Sequence, residues 1–248
     1  MTDFRLDGHT ALVTGASRGL GLDIADTLYE LGAIVYGTSR DPASAEQLAL
    51  RWSTSPVVLD VSDARASAAV VDALFASGAG PTLLVNNAGA NRPQPALDVD
   101  EEAWDALYSA NIRGLFFISQ AVARHWVELG TPGAIVNIGS QAGRVAIEDR
   151  SVYGSTKAAV EQLTRNLAFE WGVHGIRVNN VAPTFVRTEL TKATLANGEF
   201  ADTLLSRMPL GRFGEPADVS GAVAFLLGGR AAMITGQTLL VDGGYTIH

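Results

Sequence analysis

Short apolar runs alternate with longer segments of helical periodicity along the whole chain. The apolar runs carry hydrophobic residues on both faces, which is typical of strands in a parallel sheet covered by helices on both sides. Seven runs predict strands, at Thr10–Val13, Ala33–Gly37, Pro56–Leu59, Thr82–Val85, Ala134–Ile138, Arg177–Val181 and Thr238–Val241. Helical spacing between them predicts helices at about Leu20–Leu31, Ser44–Trp52, Ala64–Ser77, Glu101–Leu129, Ser151–Trp171 and Pro216–Leu227.

Strands joined by helices imply right-handed crossovers and a doubly wound sheet. We therefore expect a Rossmann-like α/β fold, with a seven-stranded parallel sheet and helices on both faces. No repeat, low-complexity segment or linker divides the chain, so a single domain over residues 1–248 is expected. One long segment, residues 184–209, separates the sixth predicted strand from the last predicted helix. Connections of this length are often lids or binding loops, and we interpret it as a substrate loop.

Composition and charge exclude several classes of function. The 248 residues are 47% hydrophobic and carry a net charge of −8 with no cluster of lysine or arginine, so nucleic-acid binding is not expected. The chain contains no cysteine, which excludes disulfides, thiol catalysis and cysteine-ligated metal, and we expect no metal site. The first residues lack a signal-peptide pattern, and no apolar run approaches the ~18 residues of a membrane helix. We expect a cytoplasmic protein.

Three glycines, Gly15, Gly19 and Gly21, lie between the first strand and the first helix. A glycine-rich turn at this place presents backbone N–H groups and the positive end of a helix to a pyrophosphate. The alternative is a turn that binds nothing, but its position in an alternating α/β chain favours a dinucleotide. The cradle would comprise Gly15, Ser17, Arg18, Gly19, Leu20 and Gly21.

The end of the second strand discriminates between the two nicotinamide cofactors. An acidic residue there favours an unphosphorylated ribose, whereas arginine accommodates a 2′-phosphate. Ser39 and Arg40 occupy this turn, and Asp41 comes later, beside Pro42, where it suits a turn. With Arg18 nearby, the pattern favours NADP(H) over NAD(H), although both arginines could be ordinary surface charges.

Two polar clusters follow other strands. Asp60 with Val61 could contact the adenine, and Asn87, Ala88 and Gly89 could line the middle of the cofactor. Each alone could be a loop cap. Both fall at the carboxyl ends of parallel strands, where open α/β sheets bind ligands.

Tyr153 and Lys157 are four residues apart on a predicted helix, so they share one face. A positive charge beside a phenol lowers its pKa from about 10. Ser140 ends the strand-like run GAIVNIGS, and its hydroxyl could bond the oxygen that the tyrosine serves. Together they could polarise a carbonyl or deprotonate an alcohol. Taken alone, the pair could equally be two surface neighbours.

These motifs, in this order, resemble the short-chain dehydrogenase/reductases. The matching residues are Thr14-Gly15-x-x-x-Gly19-x-Gly21, Asp60, Asn86-Asn87-Ala88-Gly89, Asn111, Ser140, Tyr153-x-x-x-Lys157 and Val241-Asp242-Gly243-Gly244. The resemblance implies that Tyr153 is the general acid/base and Ser140 polarises the substrate oxygen. Lys157 would hold the nicotinamide ribose, and Asn111 would help to hold a water for proton relay. Pro183, the Val186 backbone and Thr188 would approach the nicotinamide and pyrophosphate.

The resemblance implies an oxidoreductase that interconverts a ketone and a secondary alcohol, with carbon–carbon double-bond reduction ranked lower. The last third of the chain leans towards sugar-acid and polyol dehydrogenases, and a broad ketone reductase is the alternative. Thr184 stands where the family often has glycine, which leaves the geometry of this turn open. Candidate substrate-lining residues are Asn91, Ser140, Gln141, Val145, Ile147, Phe185, Leu190 and Leu195.

Three loop arginines, Arg92, Arg144 and Arg150, could meet a substrate carboxylate, but solvated side chains are the preferred interpretation. Relatives in the family are usually tetramers, so a homotetramer is expected. Two further alternatives are an NAD-preferring dehydrogenase and a catalytically silent NADP(H)-binding regulator. The regulator predicts damage to Ser140, Tyr153, Lys157 or Asn111, and all four residue types are present.

Overall fold

The computed structural model describes residues 4–189, 191–196 and 198–247, and its strands form one parallel sheet. The strands are β1 (Thr10–Val13), β2 (Ile34–Ser39), β3 (Val57–Val58), β4 (Leu83–Asn86), β5 (Gly133–Ile138), β6 (Ile176–Pro183) and β7 (Thr238–Val241). Their order across the sheet is β3-β2-β1-β4-β5-β6-β7. The predicted seven-stranded doubly wound sheet is confirmed, with strand ends that differ by a few residues.

Helices join successive strands. They are α1 (Gly19–Glu30), α2 (Pro42–Trp52), α3 (Ala64–Ala76), α4 (Glu101–Tyr108), α5 (Leu115–Leu129), α6 (Ser151–Trp171), α7 (Lys192–Leu195), α8 (Gly198–Ser206) and α9 (Pro216–Leu227). Within the described part of the chain, no helix combines the length and the apolar character needed to cross a membrane.

The two faces of the sheet bury separate hydrophobic clusters, because successive strand side chains point to opposite sides. Ala11 and Val13 of β1 join a cluster with α1, α2 and α9. Leu12, between them, joins a second cluster with α3, α5 and α6. Both faces are therefore covered by helices, and the edge where the strands end is left for polar groups.

The order of the strands creates a crevice at that edge. The chain runs outward from β1 to β2 and β3, then returns to place β4 on the other side of β1. Ligands of open α/β sheets bind at such a reversal, outside the carboxyl ends of the strands. The turn after β1 and the loop after β4 meet here.

The predicted helix Glu101–Leu129 is interrupted. A π-helical segment, Ser109–Gly114, separates α4 from α5. A Cβ on Gly114 would lie 2.6 Å from the carbonyl oxygen of Val61, so this segment packs directly against the backbone after β3. π-helical insertions are frequent at functional sites, and this one contains the buried Asn111.

The segment at residues 184–209, interpreted from the sequence as one loop, contains α7 and α8. Buried side chains of this segment join two from later in the chain in a third, smaller hydrophobic cluster, which we call the loop cluster. Its members are Ala201, Leu204, Met208, Phe213 and Tyr245. Leu190, a candidate substrate residue, lies outside the described residues.

Candidate active site

The glycine turn after β1 has the backbone geometry of a phosphate cradle. Gly15 and Gly19 have positive φ angles of +64° and +56°, which side chains rarely adopt. A Cβ on Gly21 would lie 2.3 Å from both Asn87 Nδ2 and the Gly15 carbonyl oxygen, so glycine is required there. Arg18, at the N-cap of α1, makes no capping hydrogen bond through its side chain. The first N–H groups of α1 are thus not satisfied by that side chain, which suits a pyrophosphate.

Thr14 holds the glycine turn against the loop after β4. Its Oγ1 donates to the Val85 carbonyl at 3.2 Å and accepts from the backbone N–H groups of Asn87 and Ala88, each at 3.0 Å. Asn87 Nδ2 donates to the carbonyls of Thr14 and Gly15, both at 3.0 Å. The Asn87–Gly89 segment therefore lies at the crevice as expected. Thr14 thus helps to hold the site together. The sequence indicated this residue only as the first position of the glycine motif.

The end of β2 presents cations rather than a free carboxylate. Arg18 and Arg40 are exposed, and among the described residues neither forms a hydrogen bond or an ion pair through its side chain. Asp41 Oδ2 accepts from the backbone N and Oγ of Ser44, at 2.8 and 2.6 Å, and caps α2. These bonds from Ser44 lower the pKa of Asp41. Asp41 is thus committed to the helix cap, and Ser39 is buried behind it, accepting from the Asp41 N–H at 3.2 Å.

Asp60 lies at the end of the same edge. Burial alone would raise its pKa, but hydrogen bonds from Ser62 and the charge of Arg40 lower it overall. Oδ1 accepts from Ser62 N at 3.0 Å and Ser62 Oγ at 2.7 Å, so this oxygen shapes the turn. Val61 is buried. The side chains of Arg40 and Asp60 are therefore close enough to interact electrostatically.

The chain after β6 returns to the glycine turn. A Cβ on Gly19 would meet the Thr188 side chain at 3.7 Å, so Thr188 lies beside the cradle. Val186 forms a parallel bridge with Gly214, which anchors this part of the loop. Thr184 Oγ1, next to Pro183, is buried with no hydrogen-bond partner in the described structure. Such an orphaned hydroxyl fits a polar group of a bound cofactor.

Ser140 and Tyr153 meet at the carboxyl end of β5. Burial of the Tyr153 phenol raises its pKa, and this influence outweighs a hydrogen bond with Ser140 and the charge of Arg150, which both lower it. Ser140 Oγ also accepts from the Ala142 N–H at 3.2 Å, which orients the hydroxyl. A tyrosine with a raised pKa stays protonated at neutral pH and can donate a proton.

Lys157 lies under the tyrosine ring. Its Nζ is 5.6 Å from the ring centroid of Tyr153 and donates to the Ile138 carbonyl at 2.8 Å. Burial lowers the pKa of Lys157 from 10.5 to about 8. We expected Lys157 to lower the pKa of Tyr153. The groups that lower it are instead Ser140 and Arg150. The lysine charge is instead directed to a backbone carbonyl.

Asn111 ties the loop after β4 to α6. Its Oδ1 accepts from the Ala90 N–H at 2.7 Å, and its Nδ2 donates to the Ala90 carbonyl and to Thr156 Oγ1, at 2.9 and 3.0 Å. The side-chain amide is thereby committed to protein groups. Its expected part in a water relay stays a prediction, and the π-helical segment is what brings it here.

The apolar substrate candidates lie together. Val145, Ile147, Phe185 and Leu195 all pack, partly buried, against the loop cluster. The amide candidates differ from them: Gln141 Oε1 and Asn91 Oδ1 are buried and have no hydrogen-bond partner within the described residues. A substrate hydroxyl would satisfy either oxygen.

The three loop arginines have different surroundings. Arg92 is exposed. Arg144 Nε donates to both carboxylate oxygens of the buried Glu161, at 3.1 and 3.2 Å, so it is paired within the protein. Arg150 is half-buried, and its charge reaches Tyr153. Arg150 is therefore less solvated than a loop arginine was expected to be, and whether it meets a substrate carboxylate stays a prediction. Its position three residues before Tyr153 was the signal in the sequence.

Comparison with known proteins identifies relatives that match nearly the whole chain. Residues 15–246 match a family model described as enoyl-(acyl carrier protein) reductase. A D-erythrulose reductase from Gallus gallus is 41% identical, over 99% of this chain and 98% of its own. A galactitol 2-dehydrogenase from Rhizobium johnstonii is 42% identical, over 98% and 97% of the two chains. Both relatives are named for carbonyl or alcohol chemistry, unlike the family model.

A solved structure is similar throughout. It is a gluconate 5-dehydrogenase from Burkholderia cenocepacia, in complex with NADP and tartrate. The two folds superpose with a TM-score of 0.95 at 38% identity, covering 99% of this chain and 98% of that one.

Proposed function

The chain belongs to the short-chain dehydrogenase/reductases and is an oxidoreductase acting on CH–OH and C=O groups; from this premise we propose that it interconverts a ketone and a secondary alcohol with NADP(H). The observation that carries the proposal is the convergence of Ser140, Tyr153 and Lys157 at the carboxyl end of β5, on the same edge of the parallel sheet as the glycine turn after β1. With the pyrophosphate of the cofactor in that cradle, the nicotinamide would supply or accept the hydride.

Tyr153 is the proposed general acid/base. In reduction its phenol donates a proton to the carbonyl oxygen, and its raised pKa keeps that proton in place at neutral pH. The Ser140 hydroxyl donates a hydrogen bond to the same oxygen and stabilises the developing alkoxide. Lys157 holds positive charge beneath the ring. In oxidation the tyrosinate takes the alcohol proton, so oxidation is expected to accelerate as the pH rises.

NADP(H) is proposed because cations and no free carboxylate lie at the end of β2. Arg18 and Arg40 are both available for a 2′-phosphate, and Asp41 is committed to Ser44. The similar gluconate 5-dehydrogenase binds NADP, which supports the same assignment here. Replacing Arg40 by serine should lower kcat/KM with NADPH about tenfold or more and leave the value with NADH nearly unchanged. No loss with either cofactor would assign Arg40 to the surface, and an equal loss with both would contradict recognition of the 2′-phosphate.

A polyhydroxy substrate, either a sugar, a polyol or a sugar acid, is proposed from two observations. The similar proteins are named for erythrulose, galactitol and gluconate. The orphaned oxygens of Gln141 and Asn91 are acceptors for hydroxyl groups. The apolar residues on the loop cluster would cover the carbon chain.

The test is a substrate panel followed at 340 nm. NADPH and NADH are each offered with ketoses, simple cyclic ketones and an enoyl thioester, and NADP⁺ is offered with polyols and aldonates. We expect turnover with NADP(H) and a polyhydroxy compound. Turnover of the enoyl thioester alone would support the function in the family model's description. Binding of NADPH without any turnover would instead favour the silent regulator.

We further propose that the protein is a cytoplasmic homotetramer that binds no nucleic acid. Large apolar side chains are exposed on and near the last helix-and-strand region and the end of α6, including Phe169, Val173, Met233 and Leu239. A surface of this kind suits burial against another copy. Sedimentation of the purified protein would show a tetramer, and a monomer at micromolar concentration would contradict it.

A further inference from the structure

Arg150 is the N-cap residue of α6 and lies one helical turn before Tyr153. Its guanidinium is half-buried, and its charge lowers the pKa of the catalytic phenol. Burial in turn lowers the pKa of Arg150 itself, with the nearby charges of Asp149 and Tyr153 acting in the opposite direction. The guanidinium is therefore both partly desolvated and near the reacting group.

Within the described part of the chain, only one nitrogen of the Arg150 guanidinium donates hydrogen bonds. Nη1 donates weakly to the carbonyls of Glu148 and Asp149, at 3.5 and 3.3 Å. Nε and Nη2 make no hydrogen bond, and no carboxylate lies within ion-pair distance, among the residues that the structure describes. This differs from Arg144, whose guanidinium is held by Glu161 at 3.1 Å. The planar guanidinium of a half-buried arginine without an ion pair can donate two parallel hydrogen bonds, which is the geometry that matches a carboxylate.

The backbone before Arg150 is held in place. Asp149 has a left-handed φ of +56°, and its carbonyl accepts from the Gln94 N–H at 3.0 Å. Left-handed residues other than glycine are uncommon and persist where the surroundings hold them. The loop that carries Asn91 is thus tied to the base of Arg150.

A cavity of about 470 Å³ lies beside the guanidinium, lined among others by Val145, Ile147, Asp149, Arg150 and Gly154. Val145 and Ile147 also pack against the loop cluster, so the cavity connects Arg150 with the candidate substrate side. Ser140 and Tyr153 do not line it, but Gly154, the next residue after Tyr153, and Ala142, whose N–H donates to Ser140 Oγ, both do. A chain of several carbons would place one end at the tyrosine and the other at the arginine.

We propose that Arg150 binds the carboxylate of the substrate, so that the preferred substrates are sugar acids rather than neutral sugars or polyols. This inference rests on the proposed function and deepens it. The carboxylate accepts from Nε and Nη2, while the carbon to be oxidised or reduced lies at Tyr153. No bond to the carboxylate forms or breaks.

The experiment compares D-gluconate with D-glucitol, which share a carbon chain and differ in a carboxylate against a hydroxymethyl group. Wild type is expected to have at least about tenfold higher kcat/KM for D-gluconate with NADP⁺. Arg150→Gln should lower that value about tenfold to a hundredfold, the effect of losing a hydrogen bond to a charged group. Its value for D-glucitol should change less than about threefold.

The control is Arg92→Gln, which removes an exposed arginine from a neighbouring loop and should leave both values unchanged. A lower kcat/KM of Arg150→Gln for D-glucitol measures the effect of the Arg150 charge on Tyr153. Only a larger decrease in kcat/KM for D-gluconate than for D-glucitol therefore supports the proposal. Equal losses on both compounds would overturn it and make Arg150 a positioning residue for the tyrosine.

Calorimetric titration of the NADP⁺-loaded protein separates this inference from the proposed function. D-gluconate binding that is lost in Arg150→Gln supports carboxylate recognition even if neither compound is oxidised. In that case only the proposed reaction fails. Wild type that binds D-gluconate no more tightly than D-glucitol overturns the inference, whatever the turnover.

Discussion

Two regions of the molecule are built in different ways. One is the edge formed by β1, β4, β5 and α6, and the other is the segment at residues 184–209. At the edge, hydrogen bonds hold the side chains that join its elements: Thr14 makes three, and Asn111 makes three. The segment rests mainly on the loop cluster and on a bridge between Val186 and Gly214. The edge is part of the sheet, whereas the segment is an addition beside it.

We connect this difference in construction with a difference in role: the reaction takes place at the edge, and the segment selects the substrate. Hydride and proton transfer need a geometry held to fractions of an ångström, which a hydrogen-bonded strand edge provides. Substrate choice needs only a wall of suitable shape, which short helices on a small apolar cluster can supply. Substitutions at the edge should therefore change turnover or folding, and substitutions in the segment should change substrate affinity.

Tyr153→Phe should have the largest effect. Loss of the acid/base should lower kcat by about 10²–10⁴ or more, while NADPH affinity, measured by nicotinamide fluorescence, is kept. Tyr108→Phe is the matched control, because Tyr108 also bonds α6, donating to Ser155 Oγ at 3.1 Å, and it should retain most activity. A Tyr153→Phe enzyme with a tenth of wild-type turnover would refute the assignment.

Lys157→Met should abolish efficient turnover and yet not weaken the fold at neutral pH. Since burial lowers the folded-state pKa of Lys157 from 10.5 to about 8, the unfolded chain binds the proton more tightly. The buried charge therefore destabilises wild type by about 3 kcal/mol below pH 8, and this penalty disappears as the pH rises from 8 to 10.5.

The free energy of unfolding in urea, at pH 7 and at pH 9.5, measures this effect. Wild type should gain stability relative to Lys157→Met between the two values. Lys192→Met, at an exposed lysine of α7, serves as control and should follow wild type. If the free energy of unfolding changes equally with pH in wild type and in Lys157→Met, the buried charge carries no such penalty.

Gly21→Ala should disturb the edge through packing alone. The added methyl would lie 2.3 Å from Asn87 Nδ2 and Gly15 O, so the turn must shift, at a cost of about 1–3 kcal/mol. We expect a lower melting temperature and weaker NADPH binding. Gly221→Ala, in α9, meets nothing within 4 Å and should be neutral or slightly stabilising. Similar behaviour of the two variants would contradict the close approach at Gly21.

Leu204→Ala tests the segment and should have the smallest effect on chemistry. It removes a buried side chain from the loop cluster. The substrate KM should rise about tenfold, or about 1.4 kcal/mol, while the Kd for NADPH stays within about twofold. Leu210→Ala, at an exposed leucine nearby, should change neither. A rise in the NADPH Kd equal to the rise in KM would remove the distinction between the two regions.

Most of the fold could be predicted from the sequence because each strand and helix carries its own periodicity. The strand run at Thr10–Val13 and the four-residue interval between Tyr153 and Lys157 are local patterns, and both correspond to observed elements. The π-helical segment at Ser109–Gly114 was missed, since helical spacing continues through it and only the contact between Gly114 and Val61 shows why it exists.

The pairing of charges could not be predicted, because it depends on residues distant in the sequence. Arg144 and Arg150 looked alike as loop arginines, yet one meets Glu161, seventeen positions away, and the other forms no ion pair with any residue that the structure describes and acts on Tyr153 through its charge. The direction of the tyrosine pKa likewise follows from burial, which one sequence does not contain.

The sequence by itself determined the order of elements, the glycine turn and the set of chemical groups, because these follow from residue type and spacing. Tertiary structure decided which of those groups meet and in what surroundings. It committed Asp41 to a helix cap, left Arg40 without an ion pair among the described residues, and brought the charge of Arg150 near Tyr153. The physical reason is that periodicity is a local property, whereas burial and charge pairing arise only when distant segments pack together.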